Sequence, residues 1–398
     1  MNRQQPSRTI RYVLEGLAVL STAVLASLTL ALHISRPPIT YAQEIDTFSV
    51  TVQARVDEVL DESISEDADG LVIVAQTLRL SFLTQGPYEG EQAVLEYHGT
   101  GPTINAVRFR EGQRALVMIS TLPDGSDVSG RTVYQVADHV RLLPLALIAG
   151  TFVAVTMAIG RWQGLRGLLG LVLSGLLIGG FILPQILAHR DPVLVTLLST
   201  GLLLAVTLYL IQGWNVTGHT ALLGMTISLA VTGLLAVLAT RVAFLTGYGS
   251  EETLFLQAVG INVQMRGLLL AGMILGAAGV LDDVILAQAV TIFELSATDP
   301  TLRPRALYKR GMRIGVTHLA SMINTLVLAY ASTALPLLIL FYLYPEPWYL
   351  TINRELIAEE IVRALVGSTG LLLAVPLTTA ISAWVAPRTA DSPSSAAG

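Results

Sequence analysis

The sequence predicts a polytopic α-helical membrane protein of about eight spans, with both termini cytoplasmic and a small extracytoplasmic all-β, OB-like domain after the first span. Three observations predict it. The 398 residues are 53% hydrophobic and 13% charged, with a mean hydropathy of +0.63, too apolar for one large soluble domain. The apolar residues gather into separate runs that approach or exceed the ~20 residues a helix needs to cross a ~30 Å hydrocarbon core. The charge is also divided: residues 43–141 hold 16 acidic and 7 basic side chains, a balance of −9, which leaves +4 for the rest of a chain that totals −5. An acidic block beside an apolar remainder reads as two kinds of domain.

Residues 1–42 read as a cytoplasmic N-terminus and signal anchor. Arg3, Arg8 and Arg11 precede an apolar run at Tyr12–His33. Thr40-Tyr41-Ala42 also fits a small-x-small cleavage site, and cleavage there would leave seven spans. The run is longer than the usual signal core, which favours a retained anchor.

Residues 43–141 change period. TFSVTVQARVDEVL, LVIVAQTLRLSFL, EQAVLEYH, INAVRF, QRALVMIS and TVYQV are short, β-branched segments with partial alternation, separated by Asp/Gly/Pro clusters such as Pro123-Asp124-Gly125. Five or six strands in this length suggest a small closed barrel. Nucleic-acid binding calls for a basic groove with stacking aromatics, and this domain is acidic with scattered aromatics. It reads as a structural module or as the docking site of an envelope protein.

Residues 142–387 read as a seven-span bundle, with runs at Leu142–Ile159, Gly167–Leu187, Val193–Gln212, Ala221–Thr240, Gly267–Leu286, Gly315–Tyr344 and Ile361–Ala386. Basic clusters at Arg161 and Arg166, and at Arg303, Arg305, Lys309, Arg310 and Arg313, fall on the same side as the N-terminus when eight spans are counted. The positive-inside bias makes that side cytoplasmic. Arg190 and Arg241 are exceptions to the bias. Residues 388–398 form a polar, disordered cytoplasmic tail.

The sequence contains no cysteine, which excludes disulfides and thiol chemistry. It also lacks GxxxxGK[ST], HExxH and GxSxG, so no catalytic residue is nominated.

The strongest functional signal is Asp282 beside Asp283, the only charges between Gly267 and Phe293. Ionisable groups in a membrane helix cost a few kcal/mol each on insertion scales and commonly mark a path for ions, protons or substrate. Gly272, Gly276, Gly279 and Asp283 share one helical stripe that continues to Glu294. Glycines so spaced admit a neighbouring helix, so Asp283 is expected to face the bundle and Asp282, about 100° away, a cavity. Counted from Gly267, Asp283 lies roughly 24 Å along the helix. In the following span His318, Ser321, Asn324 and Thr325 offer a polar surface of the kind that relays protons, binds a cation or joins helices. Gly175 and Gly179 form a second small-residue pattern that reads as helix packing.

The stretch GAAGVLDDVILAQAVTIFEL, followed by RALYKRGMRIGVTHLASMINTLVLAYA, resembles the YibE/F-like family of bacterial multi-pass membrane proteins. The resemblance runs from about Val50 to Trp384 and is carried by Gly279 to Asp283, Gln288, Glu294-Leu295 and Asn324 to Tyr330. It implies a bacterial plasma membrane and no particular activity. Where the family often has hydroxyl residues after the aspartates, this chain has Ile285 and Leu286.

The leading expectation is a secondary transporter or permease in which Asp282 and Asp283 bind a proton or cation, with Gln288, Glu294, His318, Ser321, Asn324 and Thr325 as further candidates. No organic cofactor is expected, and no metal is assigned. The expected partners are membrane lipids, a small solute or ion, an envelope protein at the external domain and a second copy of the chain. The alternative is a membrane scaffold or signalling component whose aspartates only orient helices; a membrane enzyme acting on lipid-linked substrates is a third class.

Overall fold

The computed structural model describes residues 49–66, 71–84, 88–102, 108–121, 132–344 and 346–390. The Tyr12–His33 run, the cleavage alternative at Ala42 and the tail beyond Ala390 lie outside the described residues. The described residues divide into two compact units, one up to Ala158 and the other from Ile159 onward.

The first unit contains five strands, β1 (Ser49–Glu66), β2 (Leu71–Phe82), β3 (Gln92–Pro102), β4 (Arg114–Thr121) and β5 (Thr132–His139), in the order β3-β2-β1-β4-β5. Every pairing is antiparallel. The 18-residue β1 serves two partners: Ser49–Arg55 pair with β4 and Ala54–Glu66 with β2, with register shifts after Val56 and Val59. Such bulges bend a strand and sharpen its twist. Alternation places Val52, Ala54 and Val56 in the core with Leu78, Leu80, Phe82, Val117 and Ile119. Charges stay outside, as in the Arg108–Glu62 pair at 3.0 Å.

Phe109 links the two edge strands. Its ring lies edge-on to Tyr97 of β3 at 4.9 Å and stacks on His139 of β5 at 3.8 Å. Buried Gln76 holds its backbone, accepting from Phe109 N at 2.8 Å and donating to Phe109 O at 3.0 Å. A buried side-chain amide with its polar atoms satisfied fixes the connection without a desolvation penalty.

The helices are α1 (Leu142–Leu177), a π-helical turn at Ile178–Ile182, α2 (Leu183–Leu187), α3 (Pro192–Gln212), α4 (Val216–Val242), α5 (Glu251–Ala258), α6 (Met265–Thr298), α7 (Pro304–Thr333), α8 (Leu335–Leu343), α9 (Trp348–Asn353) and α10 (Glu355–Ala390). Six helical stretches among the described residues are long and apolar enough to cross a membrane. The count differs from eight for two reasons. The first run is outside the described residues, and the second and third are joined in a 46-residue stretch, Leu142–Leu187. At 1.5 Å per residue that stretch is about 69 Å long, over twice a hydrocarbon core. Arg161 breaks its helical geometry with φ 48° and ψ −124°, at the basic segment between the two predicted runs.

Local chemistry sets the helix ends. Asp191 caps α3, its Oδ1 accepting from the amides of Val193 and Leu194 at 2.9 Å, with Pro192 at the first turn. Asn215 caps α4 by accepting from Gly218 N at 2.6 Å. Helix α6 is the centre of the second unit: Ile274, Ala278, Leu281, Ile285 and Ala289 pack with α3 and α4, while Val284 packs with Leu319 and Leu326 of α7 and Leu371 and Val375 of α10.

The loop after α4 is tied to α10. Glu355 accepts from the backbone and hydroxyl of Thr246 and from Gly247 N, and Glu359, only 6% exposed, accepts from Gly249 N. Gly247 has φ +87°, and a Cβ there would lie 2.4 Å from the Met265 carbonyl oxygen, so the position demands glycine.

Candidate functional site

Asp282 lies near the middle of α6. The helix runs past the apolar run that ends at Leu286, through Glu294 to Thr298, leaving Asp282 about 26 Å from Met265 and about 24 Å from Thr298. The bundle gives a second ruler. Gly267 abuts the Pro192 ring at the start of α3, and a Cβ on it would lie 3.1 Å from Pro192 Cδ. Counting along both helices from that pair puts Asp282 level with Thr207, about 8 Å before α3 ends at Gln212.

The two aspartates have different surroundings. Asp282 is half-buried, and its Oδ1 is fully buried with no hydrogen-bond partner among the described residues. Asp283 is exposed. The exposure of Asp283 departs from the expectation that this residue would meet another helix of the bundle. The reason lies in the packing of α6, whose α3- and α4-facing side takes Leu281 and Ile285 and whose α7- and α10-facing side takes Val280 and Val284. The stripe of Gly272, Gly276, Gly279 and Asp283 falls on the remaining open face, and all four residues are exposed.

Close helix approach is made by other glycines. Nothing lies within 4 Å of a Cβ placed on Gly272, Gly279, Gly175 or Gly179, and at Gly276 only the Tyr330 hydroxyl comes near, at 3.7 Å. By contrast, a Cβ would meet Thr378 Oγ1 at 2.8 Å from Gly224, Ile292 Cδ1 at 2.0 Å from Gly311, Val375 Cγ1 at 2.6 Å from Gly315 and Thr232 Oγ1 at 2.3 Å from Gly370. Each contact joins two different helices, so no spacing within one helix announced it.

Two contacts join α6 and α7. At one end Gln288 Nε2 donates to the Gly311 carbonyl at 3.0 Å. At the other the Tyr330 hydroxyl lies over Gly276. Between them Gly279 and Asp283 are exposed on α6, and His318, Ser321, Asn324 and Thr325 are exposed on α7. His318 and Thr325 follow Gly311 at seven-residue intervals, so they stay within about 40° of the stripe that meets α6. Val280, Val284, Leu319, Met322 and Leu326 pack together. Asp283 on α6 and His318, Ser321 and Thr325 on α7 are thus all exposed polar groups, and Thr325 Oγ1 donates to the Ser321 carbonyl at 3.1 Å.

Two other candidates stand apart from these residues. Gln288 is buried and also donates to Thr379 Oγ1 of α10 at 2.8 Å, so both of its N–H groups serve to join three helices. Glu294 is exposed on α6, about 17 Å beyond Asp283. Among the described residues no group of three or more His, Asp or Glu is placed to hold a metal ion.

Sequence reasoning missed the polar content of α10 and α3. Thr378, Thr379 and Ser382 are fully buried, Thr196, Ser199 and Thr200 nearly so, and Glu360 pairs with Arg363 at 2.5 Å. The spacing of Thr378, Thr379 and Ser382, which puts three hydroxyls on one helix face, was the available signal.

A family model described as YibE/F-like protein matches residues 148–388, which takes in both aspartates and most of the helical unit and leaves the β-sheet outside. No curated protein and no solved structure matches the chain.

Proposed function

The chain belongs to the YibE/F-like family, and from that premise we propose that it is a secondary transporter of the bacterial plasma membrane in which Asp283, with Asp282, binds a proton or cation. The observation that carries this reading is the pair itself: an exposed carboxylate beside a half-buried one within a span-length helix. In a bilayer such a pair calls for water or protein, and a carboxylate at that depth is a natural ion station. Asp282, with a buried oxygen lacking a donor, is satisfied by a proton or by water.

The reading includes eight spans with both termini cytoplasmic. The break at Arg161 supports counting Leu142–Leu187 as two spans, and Arg166, Arg303, Arg305, Lys309 and Arg313 then share a side. The strand order β3-β2-β1-β4-β5, with Phe109 joining the edges, supports an OB-like extracytoplasmic module.

The test is proton flux into vesicles reconstituted with purified protein and loaded with a pH-sensitive dye. Asp283→Asn, eluting as the parent protein does, should abolish the protein-dependent flux; flux equal to the parent's would reject the transporter. A second reading is a membrane scaffold or signalling component whose external β-domain binds an envelope partner, and the open glycine face at Gly272 and Gly279 leaves its helical unit room for a neighbouring helix. Deleting residues 47–138 should then remove cellular function while the bundle still inserts, and full activity of the deletion would exclude that scaffold.

A further inference from the structure

We propose that Arg241 and Arg266 form a binding site for the phosphodiester headgroup of an anionic phospholipid, in a pocket at the Pro192 end of α3, α4 and α6. The pocket has a volume of about 480 Å³. Its rim carries Arg241, from the last turn of α4, and Arg266, from the first turn of α6, with Asp191 and Gln264 beside them. Its deeper wall is apolar, made by Val193, Val237 and Leu270.

Both guanidiniums keep unused donors. Among the described residues Arg241 makes no side-chain hydrogen bond or ion pair, and Arg266 spends only Nε, on the Leu245 carbonyl at 2.8 Å. That bond orients Arg266 and leaves its two terminal nitrogens for a ligand. The Asp191 Oδ1 is committed to capping α3. Two cations and one carboxylate leave the pocket a net charge of +1, the complement of one phosphodiester, and arginine suits phosphate because its planar fork can donate two bonds at once.

The location favours a lipid over a soluble anion. Helix α3 has 21 residues, about 32 Å, or one hydrocarbon thickness, so its Pro192 end lies at headgroup level when it spans a bilayer. A charged rim over an apolar wall matches a headgroup above its acyl chains. It also explains why Arg241 departs from the positive-inside bias.

The full chain, purified in a neutral detergent, is exchanged against mixed micelles of phosphatidylglycerol and phosphatidylcholine, and retained lipid is measured by mass spectrometry. The expected result is selective retention of phosphatidylglycerol, reduced about fivefold by Arg241→Gln. Arg241 has no bond to lose in the protein, so the variant should fold. Arg354→Gln removes the same charge from a residue paired with Glu346 at 2.6 Å and should leave retention unchanged. An equal loss in Arg354→Gln, no preference for phosphatidylglycerol, or full displacement of the lipid by millimolar inorganic phosphate would each overturn the lipid site, the last in favour of a free-anion site. None of these readouts depends on transport.

Discussion

The side-chain amide of Gln288 donates to the hydroxyl of Thr379 at 2.8 Å, joining α6 to α10 in the buried interior. The same nitrogen donates to the Gly311 carbonyl of α7, and Thr379 in turn donates to the Val375 carbonyl at 2.6 Å. Replacing Gln288 with alanine removes the donor that ties three helices and leaves a gap beside Gly315. The expected cost is about 1–3 kcal/mol of stability, seen as a lower midpoint of thermal unfolding in detergent. Flux at a temperature where the variant stays folded should persist. A variant with the parent's midpoint but no flux would instead make Gln288 a ligand.

The course of α6 was largely legible in sequence, and its orientation was not. An apolar run with period 3.6 defines a helix, and the shared stripe of Gly272, Gly276, Gly279 and Asp283 is simple geometry. Which face meets a neighbour depends on side chains from elsewhere: Val284 and Ile285 find cores on two sides, so the glycine stripe is left open. The apolar run ends at Leu286, but the helix continues to Thr298 because AQAVTIFELSAT contains no breaker. The strands of the β-unit were legible because Val52, Ala54 and Val56 alternate, whereas the bracing of Phe109 by Gln76 spans 33 residues and leaves no local trace.

The contrast between glycines gives a second prediction. Gly370→Ala would set a Cβ 2.3 Å from Thr232 Oγ1 and 3.1 Å from Thr232 Cβ, and that threonine is fixed by its bond to the Ser228 carbonyl at 2.8 Å. Overpacking of this kind should cost about 1–3 kcal/mol. Gly272→Ala meets nothing within 4 Å and should leave stability unchanged or raise it by up to ~1 kcal/mol through helix propensity. Thermal midpoints of the two variants in the same detergent decide the matter. Destabilisation of Gly272→Ala as large as that of Gly370→Ala would mean that another helix covers this face.

The β-unit should lose stability in mild acid. Burial against Phe109 is the main cause holding the His139 imidazole below its ordinary value, with Asp138 opposing and Arg141 adding to the shift. A histidine with a depressed folded pKa binds protons more readily when unfolded. Stability therefore rises with pH up to the unfolded value near 6.5 and falls as pH drops below it toward the folded value. Asp57, held down mainly by the Ser81 hydroxyl, and Asp138, held down mainly by Arg141, act further down the scale: their contribution is present above ~4 and is lost as pH falls through their folded values. Hydrogen exchange of residues 132–139, corrected for intrinsic rates, should show protection falling between pH 7 and pH 5. His139→Gln should flatten that part of the profile, and an unchanged slope would assign it elsewhere.

Asp282 separates function from stability most sharply. Its Oδ1 is buried without a donor among the described residues, so no protein hydrogen bond offsets the desolvation of the carboxylate there. Its neighbours in the helix, Leu281 and Ile285, belong to the cluster with Leu204, Leu208 and Met225, an environment that suits an apolar side chain of similar size. Asp282→Leu should therefore raise the thermal midpoint, by the equivalent of about 1–3 kcal/mol, while abolishing proton flux. Asp282→Asn is nearly isosteric and should lose flux with little change in the midpoint. If Asp282 only organised helices, Asp282→Leu would lower the midpoint, because a structural carboxylate would lose partners it needs. A stabilised, inactive Asp282→Leu would show that the carboxylate is kept for its chemistry at a cost to the fold, the pattern expected of a functional group within a membrane helix.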